Sequence, residues 1–443
     1  MELDTRLPEV AAPVRASGED EWQAGVAWLG LVAVALTMGT LLVARWRGPG
    51  LDAAPLDGRW DWRPGLRLVP AVGLGAAVVL WAPGLARTVR WRPLVGLAAG
   101  ATVVWSVALA AADGWARVSG PLTTRHEYLR GVAHVDDPWE FLRTYTDRLA
   151  DYPVHLKGHP PGLTLVLWGL ERLGLGGAGW ASALVIAGAG LATASVLVAL
   201  RDVAGESAAR RAAPFVAIGP PALWYATSGD ALYAGVIALG CALLIVGRRP
   251  ATFVVGGVVL GLALHLTYGA VPLLVIPLAV AWWRRDRRPV VGLAVGVLAV
   301  TVAFSLAGFW WLDGLSATRH WYRVGISRHR PDIVFTPFIN PGALALMTGP
   351  AAAVGLWLLW QRWHRDRLPS SATPGLLAGA ALVAVVAADL SGMSKGEVER
   401  IWLPFAPWLL TATAVIPAVR AKGWLGAQVG LALVLQAAVR SPW

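Results

Sequence analysis

Long apolar runs separated by short polar stretches dominate the chain. Runs that approach the ~20 residues needed to span a hydrocarbon core fall at 22–45, 68–87, 92–112, 179–200, 211–227, 229–247, 251–267, 269–284, 289–311, 341–361, 374–390, 402–419 and 423–439. A shorter run, 161–176, follows Pro160-Pro161-Gly162. Proline suits a helix start, because its missing N–H has no intrahelical partner there anyway. This pattern predicts an all-α protein, a polytopic bundle of about 12–14 transmembrane helices. The expected order is a polar tail (1–21), N-terminal transmembrane helices (22–112), an extracytoplasmic loop with an amphipathic helix (113–160), central helices (161–311), a second external loop (312–340) and C-terminal helices (341–443). No repeat at the spacing of solenoid proteins is visible.

Short basic clusters set the orientation. They are Arg87/Arg90/Arg92, Arg201/Arg210/Arg211, Arg248/Arg249, Arg284/Arg285/Arg287/Arg288, Arg362/Arg365/Arg367 and Arg420/Lys422. From residue 201 onward they fall at every second loop, so the positive-inside tendency puts them in the cytoplasm. Gly229-Asp230, His265 to Gly269, 312–340, 391–401 and 113–160 then lie outside. Two features break the alternation. If 161–176 and 179–200 both cross, the parity between 160 and 201 is wrong, which predicts a re-entrant or broken helix there. The loop 46–67 also carries several arginines on the side read as external.

Composition agrees with the pattern. Hydrophobic residues make up 56% of the 443 positions and charged residues only 15%, against about 25% in soluble domains. Twenty-five tryptophans outnumber the 8 Phe and 7 Tyr, and Trp favours the headgroup zone. The formal net charge of +11 does not indicate a nucleic-acid partner, since the basic residues sit between apolar runs rather than on one polar domain. The lone Cys241 allows no disulfide within the chain and no CxxC metal site. The first 21 residues carry no apolar core before a small-residue cleavage site, so the first run is expected to persist as a helix. The localisation expected is the plasma membrane, with several passes.

The apolar runs are nearly free of charge, with Glu171/Arg172 and Asp389 close to predicted ends. A solute pathway more often carries ionisable residues near mid-membrane. Here the ionisable residues gather in the external loops, which favours chemistry at the outer surface. The segment from Thr123 to Gly162 contains Arg125, His126, Glu127, His134, Asp136, Asp137, Glu140, Asp147, Asp151, His155, Lys157 and His159. Trp139, Leu142, Tyr145 and Leu149 recur at near-helical spacing, predicting an amphipathic helix over 137–150 that lies on the membrane. The loop 312–340 adds Arg319, Arg323, Arg328 and Arg330, whose guanidinium forks match phosphate oxygens. Lys395, Glu397, Glu399 and Arg400 form another charged loop on the same side. Asp230 lies at a helix start, and His265 and Tyr268 near a helix end. No HExxH, EF-hand loop, GxxxxGK[ST] or strand-linked GxGxxG occurs, so neither a metal nor a nucleotide is called for, although a divalent ion bridging a lipid phosphate is compatible with the sequence.

Arg125-His126-Glu127-Tyr128 in the long external loop, followed by Lys157-Gly158-His159-Pro160-Pro161-Gly162 at a helix start, resembles the GT-C superfamily of polyprenyl-phosphate-sugar-dependent glycosyltransferases. Protein O-mannosyltransferases and aminoarabinose lipid A transferases belong to it. Ala226-Thr227-Ser228-Gly229-Asp230-Ala231-Leu232 is similar to the later acidic position of that superfamily. The phrase from Ser394 to Phe405 resembles actinobacterial membrane proteins of the same general type. The superfamily usually carries its acid just after the first helix.

The resemblance implies a donor sugar on a polyprenyl phosphate and a cell-envelope glycan, lipid or protein as acceptor. A carboxylate takes the acceptor proton as the glycosidic bond forms, and cations hold the leaving phosphate. Glu127 is the first candidate base, with Asp136 and Asp137 as rivals. Lys157, His159, Asp230, His265, Tyr268, Arg319, Arg323, Arg330, Lys395, Glu397 and Arg400 are candidates for substrate and phosphate. The competing expectation is a transporter or lipid-linked-sugar flippase, which moves its substrate without covalent change.

Overall fold

The computed structural model describes residues 18–46, 52–226, 228–366 and 373–442. Most of the expected polar tail, together with Thr227 and Arg367, lies outside them. The chain forms an all-α helical bundle, and among the described residues one strand pairing joins Arg59–Trp60 to Val439–Arg440.

Among the described residues, six helices are long and apolar enough to cross a membrane: Gly18–Arg45, Leu66–Thr88, Trp91–Ala112, Ala178–Ala204, Arg288–Leu306 and Thr373–Leu390. A seventh crossing results if Asp332–Thr348 and Pro350–His364, bent by 102°, act as one span. The other apolar runs form shorter or interrupted helices. Asp230–Val246 and Pro250–Leu266 are 17 residues each, and run 402–419 splits into Ala406–Leu409 and a 3-10 turn at Leu410–Val415. Run 211–227 is cut at Ile218, beside Gly219-Pro220-Pro221, because proline supplies no N–H to continue the ladder.

The two ends of the bundle differ in charge, as the basic clusters predict. At one end Asp202 pairs with both Arg248 (2.6 Å) and Arg284 (2.7 Å). Glu206 binds Arg201 and Arg210, and Arg210 donates to the Ala86 and Val89 carbonyls at the end of helix Val69–Thr88. Arg211 donates to Ala414, Arg362 to Val415, and Arg420 pairs with Glu21. The charges of this end thus close helix C-termini and tie neighbouring helices together. Loops 52–68, 113–162, 307–335 and 391–402 gather at the other end, where contacts among them are described below.

The parity problem resolves in the run after Pro160-Pro161. Helix Gly162–Arg172 has only 11 residues, about 16 Å at 1.5 Å per residue, half of a hydrocarbon core. It turns back at Gly174, which has φ +77°. Helix Ala178–Ala204 then starts at the loop end, where Ser182 donates to the Val118 carbonyl (2.7 Å). Only the second of the two runs therefore travels the length of the bundle.

Close helix contacts rest on small residues, as expected where lipid removes the hydrophobic incentive to associate. Gly257-x-x-x-Gly261 on helix Pro250–Leu266 faces Gly292-x-x-x-Gly296 on helix Arg288–Leu306. A Cβ on Gly257 would strike the Gly292 carbonyl, and one on Gly296 the Gly257 backbone. At the 102° bend Gly349 has φ +76°, so the Thr348 carbonyl and the Ala351 N–H lose their helical partners. The buried Gln428 side chain supplies both, donating to Thr348 (2.9 Å) and accepting from Ala351 (3.3 Å).

Candidate functional site

Six segments deliver charged side chains to one buried cluster. Glu127 precedes the short helix Tyr128–Val132, and His155 sits on helix Val154–Lys157. The His155 N–H donates to the His126 carbonyl (3.0 Å), which ties these two segments together. The Tyr145 hydroxyl donates to the carbonyls of Leu156 (2.8 Å) and His159 (2.9 Å), fixing the segment before Pro160. Tyr145 belongs to the stretch expected as a helix over 137–150. The helix is real but short, Pro138–Thr144, and a 3-10 turn at Leu149–Asp151 follows it. Leu142, Tyr145 and Leu149 pack inward, whereas Trp139 stays exposed.

Asp230 is the first residue of helix Asp230–Val246, and the Ser228 hydroxyl donates to its Oδ2 (2.6 Å). Arg400 lies on helix Val398–Ile401. Before it, Gly396 (φ +70°) and Glu397 (φ +59°) are both left-handed. Glycine adopts that region freely, but a glutamate there is strained at a cost of about 1–3 kcal/mol. The strain turns the Glu397 carboxylate back onto Arg400.

Arg400 is the hub. Its Nη1 lies 2.8 Å from Asp230 Oδ2, and its Nη2 lies 3.0 Å from Glu397 Oε2 and 3.5 Å from His155 Nε2. His155 Nδ1 stands 2.9 Å from Glu127 Oε1. Glu127 and Asp230 are each 3% exposed and Arg400 4%. Burial opposes the Arg400 charge, but the Asp230, Glu397 and Glu127 carboxylates outweigh it and raise its pKa above the usual arginine value. Burial also works against Glu397, yet Arg400, Arg330 and His155 hold its carboxyl below the usual range.

Arg330 extends the cluster. It donates to the Lys395 carbonyl (2.5 Å), contacts Glu397 Oε1 at 3.3 Å and approaches Asp57 Oδ2 at 4.0 Å. The Asp57 N–H donates to Glu399 Oε1 (2.8 Å). Burial, reinforced by repulsion from Glu397 and Glu399, pushes Asp57 up to about 8 against the pull of Arg330 and Arg400. Burial pushes Glu399 up to about 7, partly offset by the Asp57 N–H. A continuous chain of polar contacts thus runs from Glu127 through His155, Arg400, Glu397 and Arg330 to Asp57. Two carboxyl groups at the far end titrate near neutrality.

Among the sequence candidates, Glu127, Asp230, Arg330, Glu397 and Arg400 converge here. His159 is adjacent. Its Nδ1 lies 2.9 Å from the His155 carbonyl, its ring packs against Tyr128 and Tyr233, and burial lowers its pKa to about 4. Lys395 gives its carbonyl to Arg330, while its ammonium pairs with the exposed Asp332 (2.7 Å). Lys157 lies over the Trp321 ring at 5.2 Å. Arg319 and Arg323 are exposed on helix Trp311–Val324, away from the buried carboxylates. Asp136 is also exposed. Asp137 caps helix Pro138–Thr144, accepting from the N–H groups of Trp139 and Glu140. His265 is buried, with Nδ1 2.8 Å from the Gly261 carbonyl and its ring stacked on Phe304 at 4.1 Å. Tyr268 packs on Trp311. Gly162 comes so close to the His265 backbone that any Cβ would strike its carbonyl.

Sequence reasoning did not single out Asp57 as a site residue. His155 was noted only as one of many polar residues in its loop, and Glu399 only as part of a charged stretch. Asp57 had one available signal, its place in the first polar stretch after the first apolar run.

Among the described residues no three of His, Cys, Asp and Glu are grouped so as to hold a metal ion. The arrangement supplies carboxyl groups near their neutral point for proton transfer, an ordered Glu–His pair, and exposed cations at Arg319 and Arg323. No model of a protein family matches the chain, and neither does any curated protein.

Proposed function

We propose that the protein is a multi-pass glycosyltransferase of the plasma membrane. It transfers a sugar from a polyprenyl-phosphate donor to an acceptor hydroxyl of a cell-envelope glycan, lipid or protein at the extracytoplasmic face. The observation that carries this reading is the convergence of Glu127, His155, Asp230, Glu397 and Arg400 from separate loops into one cluster at the end opposite the basic clusters. A buried charge cluster of this size is costly, and strain at Glu397 adds to the cost, a pattern typical of functional sites.

The reaction is a single displacement. The acceptor oxygen attacks the anomeric carbon, the bond from that carbon to the phosphate oxygen breaks, and the acceptor proton passes to a carboxylate. Glu127 is the first candidate base, oriented by His155 at 2.9 Å. Asp57 is the second, because a pKa of about 8 lies near the operating pH and makes its ionised form, the minor one at neutral pH, a stronger base than an ordinary carboxylate. It also stands in the loop after the first helix, where the GT-C resemblance implies an acid. The forks of Arg400 and Arg330 are taken up by carboxylates, so they hold the acids in place. The leaving phosphate falls to the exposed Arg319 and Arg323 on helix Trp311–Val324 and to Lys157, which lies over the Trp321 ring of that helix.

The test is turnover of a labelled polyprenyl-phosphate sugar by proteoliposomes, with Glu127→Gln and Asp57→Asn variants alongside. Labelled product on an acceptor, lost in one of the two variants, is the expected result. Full activity in both removes the assigned bases. Exchange of the intact donor between leaflets with no product overturns the reading in favour of a flippase.

A further inference from the structure

A second polar feature, lined by none of the residues of the Arg400 cluster, lies at the same end of the bundle. A cavity of about 350 Å³ opens between the start of helix Val69–Thr88, the end of helix Trp91–Ala112 and the end of helix Ala421–Ala438. Arg63, Arg67, Leu66, Leu68, Asp113 and Gln436 line it. Arg63 is fully committed. It pairs with Asp113 at 2.5 Å and donates to the Val439 and Asp61 carbonyls. Asp113, the one acid of the wall, is therefore already neutralised. Arg67 has no ion-pair or hydrogen-bond partner among the described residues, although its guanidinium sits against Gly114.

The surroundings are basic. Arg59, Arg117 and Arg440 stand in the neighbouring segments, with Asp61 shared between Arg59 and Arg440 at 3.7 and 3.8 Å. The lining Leu66 is 89% exposed, and two exposed tryptophans flank the lining segments in the chain, Trp62 (65%) beside Arg63 and Trp115 (74%) two residues after Asp113. Helix Leu66–Thr88 buries only 11% of its apolar window, so its side is turned to the surroundings of the bundle.

We infer that this cavity is a binding site for the phosphate of an anionic lipid headgroup, with Arg67 and the Gln436 amide as its donors. An unpaired guanidinium supplies a fork that matches phosphate oxygens. The exposed Leu66 and the flanking tryptophans suit a ligand that carries acyl chains into the interface, and would serve a free phosphate ion in no way. Tryptophans beside the arginines place the site at headgroup depth, next to an apolar helix face long enough for a chain to follow.

The purified protein in nanodiscs tests this through retained lipid, read by native mass spectrometry after release. With mixed phosphatidylglycerol and phosphatidylcholine, the wild-type protein is expected to retain phosphatidylglycerol selectively. Arg67→Gln should reduce that retention by about tenfold, the usual effect of one charge-assisted phosphate contact. Lys422→Gln, at the basic end, should leave it unchanged. Equal retention by Arg67→Gln and wild type, or no preference for phosphatidylglycerol, overturns the site. Displacement of the retained lipid by millimolar inorganic phosphate alone identifies a free-anion site and overturns the lipid assignment. The readout does not depend on transferase activity, so it stands or falls separately from the proposed function.

Discussion

Replacing Arg400 with methionine removes the hub of the buried cluster while keeping an unbranched chain in its place. Asp230, 3% exposed, loses its 2.8 Å partner, and Glu397 loses its 3.0 Å contact and keeps only Arg330 at 3.3 Å. Removing one member of a buried ion pair leaves an uncompensated charge and costs about 3–5 kcal/mol. Part of that cost is avoidable by protonation. In the wild-type protein the pKa of Glu397 is depressed, so its contribution to stability is present above the unfolded value of 4.5 and is lost as pH falls through the folded value. In Arg400→Met the main depressing charge is gone and burial then raises the Glu397 pKa. The sign reverses, and the variant loses stability as pH rises above 4.5. Denaturant unfolding of the detergent-solubilised proteins at pH 5 and pH 8 measures both. The expected deficit is large at pH 8 and much smaller at pH 5, with Arg400→Lys in between because one ammonium cannot bridge both acids. A deficit below about 1 kcal/mol at pH 8, the range of an exposed pair, would refute a buried hub. So would a deficit independent of pH.

Three further outcomes follow from the packing and the titrating acids. Gln428→Leu keeps the volume but orphans the Thr348 carbonyl and the Ala351 N–H at the bend, and is expected to cost about 1–3 kcal/mol per group by the same unfolding assay. Gly296→Leu forces helix Arg288–Leu306 off the Gly257 backbone and should destabilise by at least the ~1–3 kcal/mol of an overpacked core, whereas Gly423→Leu, with open space around it, should be close to neutral. Glu399 has its folded pKa raised to about 7 from 4.5, so its neutral form favours the fold below 4.5 and that advantage is lost as pH rises through 7. Glu399→Gln should therefore match wild type at pH 5 and exceed it at pH 8 in unfolding midpoint; a variant that is less stable at pH 8 would contradict the burial argument.

The membrane pattern was legible because it repeats: apolar runs and short basic clusters are local features that need no tertiary knowledge. The clusters gather at one end, where Arg210, Arg248, Arg284 and Arg362 donate to carbonyls at helix ends and Arg201 and Arg420 pair with acids. The number of long spans was less legible. Runs such as 341–361 and 402–419 read as continuous by hydrophobicity, but a positive φ at Gly349 and a 3-10 turn at Leu410–Val415 interrupt them. Composition is blind to such breaks when buried partners such as Gln428 repair them. Asp137 has a structural role that local sequence also encodes. Its position before Pro138 is a helix-cap signature that outweighs any catalytic reading of a loop acid.

The site itself was half legible for a physical reason. Glu127, Asp230 and Arg400 stand out as charges at the ends of uncharged helices, which any sequence reading finds. Asp57 and Glu399 become special only together, as an N–H to carboxylate contact across 342 positions, and no local pattern encodes that approach. The cations divide the same way. Arg330 and Arg319 look alike in sequence, yet Arg330 is 4% exposed and engaged by Lys395 and Glu397, whereas Arg319 is exposed. Burial decides which arginine organises the acids and which remains free for a ligand's phosphate. A guanidinium already saturated by carboxylates must give up those contacts to bind an anion, leaving buried acids unpaired. An exposed one has no such cost. In the proposed transferase, the leaving phosphate is therefore assigned to the arginines along helix Trp311–Val324 rather than to those beside the acids.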